Sequence, residues 1–319
     1  MIAFILICFP SYCQQFPNDS INDIHQSKYK KRQNILKWGG IGVYTVGSIG
    51  LYNSWYKNYD QEDFHFFNDL NEWENVDKLG HIHASYFQAD LIYKSLKWSG
   101  VKESKAILIG SLTSLGFQST IEIMDGFSSG WGFSIPDYTA NLIGITSFAL
   151  QQKLWGEQKF KIKVSYWPKT YANEPINSQT DFTFRDRAND LFGRPFYQKL
   201  VKDYNAQTVW ISSNPRNFNP DLRWPKWLNF ALGYGADNMY GGFNNTWQHS
   251  GGSEFSISNT DYPRTKQFVL ALDYDLSKVK TDSAFLKSAL DVLNIFKWPA
   301  PAIELTSKGE FKFHLLFLN

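Results

Sequence analysis

The chain has 319 residues, 43% of them hydrophobic and 17% aromatic, enough to bury the core of one large or two modest domains rather than stay disordered. Charged residues make up 19% and the formal net charge is only +2, which excludes the basic excess that carries nucleic-acid affinity. The two cysteines, Cys8 and Cys13, both lie at the N-terminus, so disulfide and thiolate chemistry are excluded for any chain cut after Cys13.

The first residues, MIAFILICFPSYCQQ, give an apolar run from Ile2 to Phe9 and then Pro10, Ser11, Tyr12 and Cys13. This is the pattern of a signal peptide over residues 1–13, although no Lys or Arg precedes the apolar run. Acylation of Cys13 is the alternative, with Pro10-Ser11-Tyr12 a poor lead-in to it. A cysteine-free exported chain rich in Trp and Tyr fits a bacterial envelope. Residues 14–34 read as a polar linker carrying the basic cluster Lys28, Lys30, Lys31 and Arg32.

Four apolar segments then span residues 35–155, a helical domain by pattern. The first, ILKWGGIGVYTVGSIGLYNSWY, has roughly the 17–20 residues that cross a bilayer. Its glycines at 39, 40, 42, 47 and 50 predict a closely approaching helical partner. In NVDKLGHIHASYFQADLIYKSLKW, Leu79, Ile82, Tyr86, Ala89 and Tyr93 recur at helical spacing. KAILIGSLTSLGFQSTIEIMDGF and YTANLIGITSFALQQKLW complete the set, and their serines and glutamines favour partial membrane contact over four clean spans.

Beyond Gly156 the period changes to two. In KFKIKVSYW, Phe160, Ile162, Val164 and Tyr166 share one face, and Lys159, Lys161, Lys163 and Ser165 share the other. AQTVWISSN, LNFALGYGAD, FVLALDYDLS and GEFKFHLLFLN repeat the pattern. Residues 156–319 are therefore expected to form an antiparallel β-rich region, either a soluble sheet packed on the helices or a small barrel of the outer membrane. NEPINSQTDFTFRDRANDLFGRP reads as a polar connection, and DSAFLKSALDVLNIFKWPAPAIEL as one more amphipathic helix stopped by Pro299 and Pro301. The fold class is α+β.

The candidate site gathers on three helices. Asp77 and His81 are four apart, Lys78 and His81 three apart, and His83 lies round the other side. Glu122 and Asp125 are three apart, and Asp137 and Asn141 four apart. If these faces turn inward, one pocket holds Asp77, Lys78, His81, Glu122, Asp125, Ser134, Asp137 and Asn141. Such a cluster can bind a divalent metal through His81, Glu122 and Asp125, or run acid–base catalysis with Glu122 and His81. Simpler roles fit the same residues: SIPD, Ser134 to Asp137, matches a capping box with Pro136 in the first turn, Asp77 favours a helix N-terminus, and Asn141 suits a hydrogen bond between packed helices. Ionisable groups in apolar segments are costly unless paired, which favours their convergence. The loop GFSSGWGFS adds the hydroxyls of Ser128, Ser129 and Ser134 and an aromatic rim of Phe127, Trp131 and Phe133, suited to a lipid or glycan head group or to interfacial anchoring.

D-K-x-G-H at Asp77 to His81, Tyr86, E-x-x-D-G at Glu122 to Gly126, G-F-S at Gly132 to Ser134 and D-x-x-x-N-x-x-G at Asp137 to Gly144 together resemble the YfiM-like family of predicted periplasmic lipoproteins, of DUF2279 type. More distantly the pattern is similar to the VanZ-like membrane proteins, from which this chain departs in having Asp125 where they commonly show Gln. The layout resembles the longer envelope members of Bacteroidetes-type bacteria. The resemblance implies an envelope location and a helical core, and brings no established reaction.

The sequence thus predicts an exported protein of the outer membrane or periplasm of a Gram-negative bacterium, structural or lipid-interacting, with membrane lipids or envelope components as partners and no nucleic acid. The alternative is a metal-assisted hydrolase or transferase acting on a lipid or cell-wall intermediate. A solute-transporting barrel is a third reading that the few visible strands support poorly.

Overall fold

The computed structural model describes residues 20–57, 59–177, 180–248 and 254–318. The expected signal peptide lies outside the described residues. Much of the expected linker is instead helical: α1 runs Ser20–Leu51 and passes into a π-helical turn, Tyr52–Tyr56. The Lys, Arg and Gln residues of this stretch are good helix formers, so the basic cluster continues the helix. Helices α2, Val76–Trp98, α3, Glu103–Gly126, and α4, Ile135–Trp155, follow. A helical block is thus followed by an antiparallel sheet region, the α+β class expected.

The chain divides into two units. One comprises described residues up to 69 with 81–159 and 276–293, and the other comprises 70–80, 160–275 and 294–318. The stretch 276–293 belongs to the first unit and 70–80 to the second.

In the first unit, Arg32 anchors α1 by donating from Nη1 to the Trp98 carbonyl at 2.7 Å, with its guanidinium 4.4 Å from the Trp98 ring centre. Tyr44 shares a 2.8 Å hydrogen bond with Thr120 and meets Phe117 edge to face. Side chains therefore make these contacts. A Cβ added at Gly39, Gly40, Gly42 or Gly50 would meet nothing within 4 Å, so these glycines do not serve the close approach expected of them. Backbones approach closely elsewhere. A Cβ at Gly110 of α3 would lie 2.9 Å from the Ala89 carbonyl oxygen, and one at Gly144 of α4 only 2.2 Å from that of Ile82, so α2 is clasped on two sides.

The polarity of this unit is unusual. Helix α3 buries Ala106, Gly110, Ser114, Gln118, Glu122 and Gly126, one residue every fourth position, and exposes Leu108, Leu112 and Ile123. Helix α4 buries Asp137, Asn141, Gln151 and Gln152 beside Ile145 and Phe148, and exposes Ile143, Leu150 and Leu154. The buried polar groups pair: Ser114 Oγ donates to the Ser85 carbonyl at 2.9 Å, Gln118 Nε2 to Gln88 Oε1 at 3.1 Å, and Gln152 Nε2 to the Tyr93 hydroxyl at 3.0 Å. Among the described residues, α3 is the one helix long and apolar enough by length and composition to cross a membrane.

In the second unit, strands β1, Phe160–Tyr166, β2, Gln207–Ser213, and β3, Leu228–Asp237, are followed by the short pair β4, Thr246–Gln248, and β5, Glu254–Ser256. Strands β6, Thr265–Tyr274, β7, Ala302–Thr306, and β8, Phe311–His314, complete an antiparallel six-stranded sheet in the order β1-β2-β3-β6-β7-β8. The stretch expected as a polar connection holds a short helix, α5, Phe184–Phe192, and a second, α6, Phe196–Lys202, directly follows it. Thr183 and Asp186 cap α5 reciprocally, and its Phe184, Ala188 and Phe192 join Tyr171, Tyr240 and Ile257 in a hydrophobic cluster. Helix α7, Ala284–Leu293, ends before Pro299, and Ala302–Thr306, just beyond the expected stop at Pro299 and Pro301, forms β7.

Candidate functional site

The site is built on the first unit. His81 stands in the second turn of α2, Glu122 near the end of α3, and Asp137 and Asn141 in the first two turns of α4. Glu122 extends the stripe Ser114–Gln118 by one more turn, so the spacing that buries α3 also carries a carboxyl group into the interior. Ser134 starts α4: its Oγ accepts from the Asp137 N–H at 3.0 Å and donates to Asp69 Oδ1 at 2.5 Å. Its own N–H donates to the Glu122 carboxyl group, so the N-cap of one helix is tied to the end of another.

Asn141 joins the two sides. Its Nδ2 donates to Glu122 Oε1 at 3.2 Å, and its Oδ1 stands 3.2 Å from His81 Nδ1. The imidazole is bracketed, with Nδ1 3.7 Å from Glu122 Oε1 and Nε2 3.6 Å from Asp137 Oδ2. Glu122 is 1% exposed and Asn141 fully buried. The structure therefore brings His81, Glu122, Asp137 and Asn141 together, with Ser134 at the margin.

Asp125 takes a different place. Its Oδ1 accepts a 2.6 Å hydrogen bond from the hydroxyl of Tyr56. Three residues round the helix from Glu122, it lies beside the buried stripe. Ligand atoms of His81, Glu122 and Asp137 fall within 4.8 Å of one another, a grouping that includes Asp137 where the expected metal set has Asp125. Asp77 and Lys78 pair with each other, Lys78 Nζ donating to Asp77 Oδ2 and the Lys78 N–H to Asp77 Oδ1, both at 2.9 Å. They fall in the stretch 70–80 of the second unit. His83 is buried, with its ring stacked on Phe87.

Burial dominates the electrostatics. It raises Glu122 from its ordinary 4.5 to about 9, helped by the neighbouring charges of Asp137, Asp125 and Asp69 and opposed by the Ser134 N–H. Asp125 rises to about 7, again mainly by burial, with Asp137 and Asp69 adding to the rise and the Tyr56 hydroxyl opposing it. The Tyr56 hydroxyl is itself pushed up, by burial and then by Asp125, and stays a donor. At neutral pH Glu122 therefore holds its proton. A protonated carboxyl donates one hydrogen bond and accepts others, which suits a structural node or an acid and does not suit a resting general base.

The glycine- and serine-containing loop is not a loose rim. Segment 62–67 runs beside it, with backbone bonds from Glu62 N–H to Phe127 O, His65 N–H to Gly126 O, and in both directions between the Phe133 region and residues 65–67, at 2.9–3.0 Å. His65 Nε2 adds a 2.7 Å contact to the Trp131 carbonyl. Ser128 is buried and its Oγ accepts from the Gly130 N–H. Trp131 packs edge-on to Tyr56, the residue that donates to Asp125. Tyr56, His65 and Asp69 were not singled out by motif spacing. Only the dense Asp and Phe content of the 60–69 loop hints at His65 and Asp69.

Residues 63–153 match the model of a family described as predicted periplasmic lipoproteins, DUF2279. The match covers α2, α3 and all but the last two residues of α4, and with them His81, Glu122, Asp125, Ser134, Asp137 and Asn141. It supports an exported, periplasmic or envelope location. No curated protein and no solved structure matches the chain.

Proposed function

We propose that the chain is a structural, lipid-interacting protein of the Gram-negative outer membrane, and that its His81–Glu122–Asp137–Asn141 cluster is a proton-holding network that locks three helices together. The observation that carries this reading is the inverted polarity of the helical unit, whose buried stripe is Ser114, Gln118 and Glu122 while Leu108, Leu112 and Ile123 face outward. Water would favour the reverse arrangement; hydrocarbon contact favours this one. The match to a periplasmic lipoprotein family supports the location, and the YfiM-like and VanZ-like pattern extends the same reading.

Removing the Glu122 side chain tests it. Glu122→Ala leaves the Asn141 amide and the Ser134 N–H without their acceptor in a buried site, so thermal stability falls, whereas Glu122→Gln keeps most of it. Equal stability of wild type and Glu122→Ala contradicts the structural role. Membrane extraction of the wild type with alkaline carbonate, which strips peripheral proteins, tests the lipid contact, and full release contradicts it.

A second reading keeps one specific observation in its favour. The donor atoms of His81, Glu122 and Asp137 lie within 4.8 Å of one another, close enough to surround a divalent ion that would activate water for hydrolysis of a lipid or cell-wall intermediate. Binding there requires Glu122 to lose its proton, so affinity would rise with pH.

A further inference from the structure

The six-stranded sheet is inverted as well. A single cross-strand row on one face joins Ile162, Ile211, Leu232, Leu270, Ile303 and Phe313, each paired with the next. Two residues along on the same face lie Phe268 and Phe311, and in the other direction Phe230. Leu232 is 65% exposed, Phe311 74% and Phe313 73%, and Ile211, Phe230, Phe268, Leu270 and Ile303 are exposed too. An aromatic side chain carries about 150–250 Å², so this face exceeds the roughly 300–600 Å² patch of an ordinary monomer.

The opposite face is buried, and beside the apolar cluster of Trp210, Ala231, Val269, Ala271 and Ala302 it holds charged and polar groups. Lys163 Nζ stands 2.7 Å from Asp273 Oδ2, and both side chains are fully buried. Ser212 Oγ donates to the same carboxylate at 2.6 Å, and Asn229 Nδ2 to Ser212 Oγ at 3.0 Å. Glu304 accepts from Gln267 at 3.0 Å and pairs with His314 at 2.7 Å. Trp210 donates to Ser165 at 2.9 Å, its ring fitting over Gly233, where a Cβ would come within 2.6 Å of it. A sheet in water buries its apolar face; this one buries its ions and shows its leucines.

One rim of the apolar face tells what covers it. The β2–β3 loop exposes Phe218, Leu222, Arg223, Lys226 and Trp227. Trp224 stacks on Phe230 at 5.2 Å and Trp227 on Tyr274 at 6.2 Å, so an aromatic belt with two cations is continuous with the face. Trp and Tyr concentrate where hydrocarbon meets head groups, and Arg or Lys beside them complements anionic lipid. The outer edge of β1 is not bare: Val164 exchanges backbone bonds with Ile295 and Lys297 at 3.0 and 2.9 Å. Hydrocarbon disfavours an unpaired edge, and these two bonds cover the middle of β1.

We propose that the Ile211–Leu232–Leu270–Ile303–Phe313 face of the sheet lies in the hydrocarbon of a lipid bilayer, with the Trp224–Trp227 loop at the anionic head-group level. The inference rests on the lipid-interacting reading above and extends it to the second unit.

Spin labels report it directly. In full-length protein with Cys8 and Cys13 replaced by serine, single labels are placed through Leu232→Cys, Ile303→Cys and, on the helical unit, Leu112→Cys. The protein is reconstituted into phosphatidylethanolamine–phosphatidylglycerol vesicles, and label collisions with oxygen and with a water-soluble nickel chelate are compared. Oxygen collisions dominating at 232 and 303 are expected. Nickel dominating there while oxygen dominates at 112 overturns the sheet inference and leaves the functional reading standing; nickel at all three sites overturns both. Dipolar coupling between labels at 232 in two copies, without lipid dependence, assigns the face to a second copy and overturns the proposal. The pair Arg223→Gln with Lys226→Gln, distant from the core, should weaken binding to the anionic vesicles roughly thirtyfold, and unchanged binding counts against the head-group assignment.

Discussion

Asn141 spans His81 and Glu122: one end of its amide donates to Glu122 Oε1 at 3.2 Å while the other stands 3.2 Å from His81 Nδ1. A single side chain on α4 thereby ties α2 to α3. The amide supplies both a donor and an acceptor without adding charge, which a site already holding Glu122 and Asp137 tolerates best.

Replacing Asn141 by Ala should therefore destabilise the protein by about 1–3 kcal/mol, the cost of leaving buried partners unsatisfied. Asn141→Asp should cost more than Asn141→Ala at pH 8, because it adds a buried negative charge near Asp137. Chemical denaturation of the three proteins checks the order.

The raised carboxyl groups give a pH dependence of definite sign. A Glu122 at about 9 and an Asp125 at about 7 bind protons in the folded state that they release on unfolding. Stability is then highest below the unfolded values, falls as pH rises, and levels off once Glu122 has titrated near 9. Glu122→Gln should remove most of the fall between pH 5 and 9, on the order of 2–5 kcal/mol. Denaturation midpoints across this range check it, and a wild type growing more stable from pH 5 to 9 has the opposite sign.

Tyr56 presents its hydroxyl to Asp125 at 2.6 Å. Tyr56→Phe should destabilise by about 1–2 kcal/mol and shift the Asp125 titration upward, since the hydroxyl is what opposes its rise. Carboxyl-selective NMR titration of the two proteins checks both effects.

The backbone contact between α2 and α4 admits no side chain. At Gly144 a Cβ would lie 2.2 Å from both the Ile82 carbonyl oxygen and Ser85 Oγ. Gly144→Ala should cost about 2–3 kcal/mol through overpacking, whereas Gly39→Ala, in open space, should cost nothing and gain helix propensity. Thermal unfolding of the pair separates the two glycine roles.

Helical spacing made the convergence of His81, Glu122, Asp137 and Asn141 legible as a possibility, since Asp77 and His81, Glu122 and Asp125, and Asp137 and Asn141 each fall about one turn apart. It did not choose between Asp125 and Asp137 as the neighbour of His81. That choice depends on which side of the last turn of α3 faces inward, and the stripe 106-110-114-118-122 decides it through packing. The strands were legible from alternation, as Ile162 and Val164 against Lys161 and Lys163 in β1. Alternation is symmetric, however, and does not say which face is buried. Strand β7 was hidden because its five residues follow Pro299 and Pro301 at the end of an amphipathic stretch. The short helices α5 and α6 have too few turns for periodicity, although Thr183-x-x-Asp186 carried a cap signal for the first.

The most direct test is infrared difference spectroscopy of the carboxyl C=O stretch at neutral pH, wild type beside Glu122→Gln. A protonated Glu122 gives a band in the wild type that is absent from the variant and fades only as pH rises toward 9. A wild type whose Glu122 is already ionised at pH 6 contradicts the proton-holding network, and would return the cluster to the metal-binding reading.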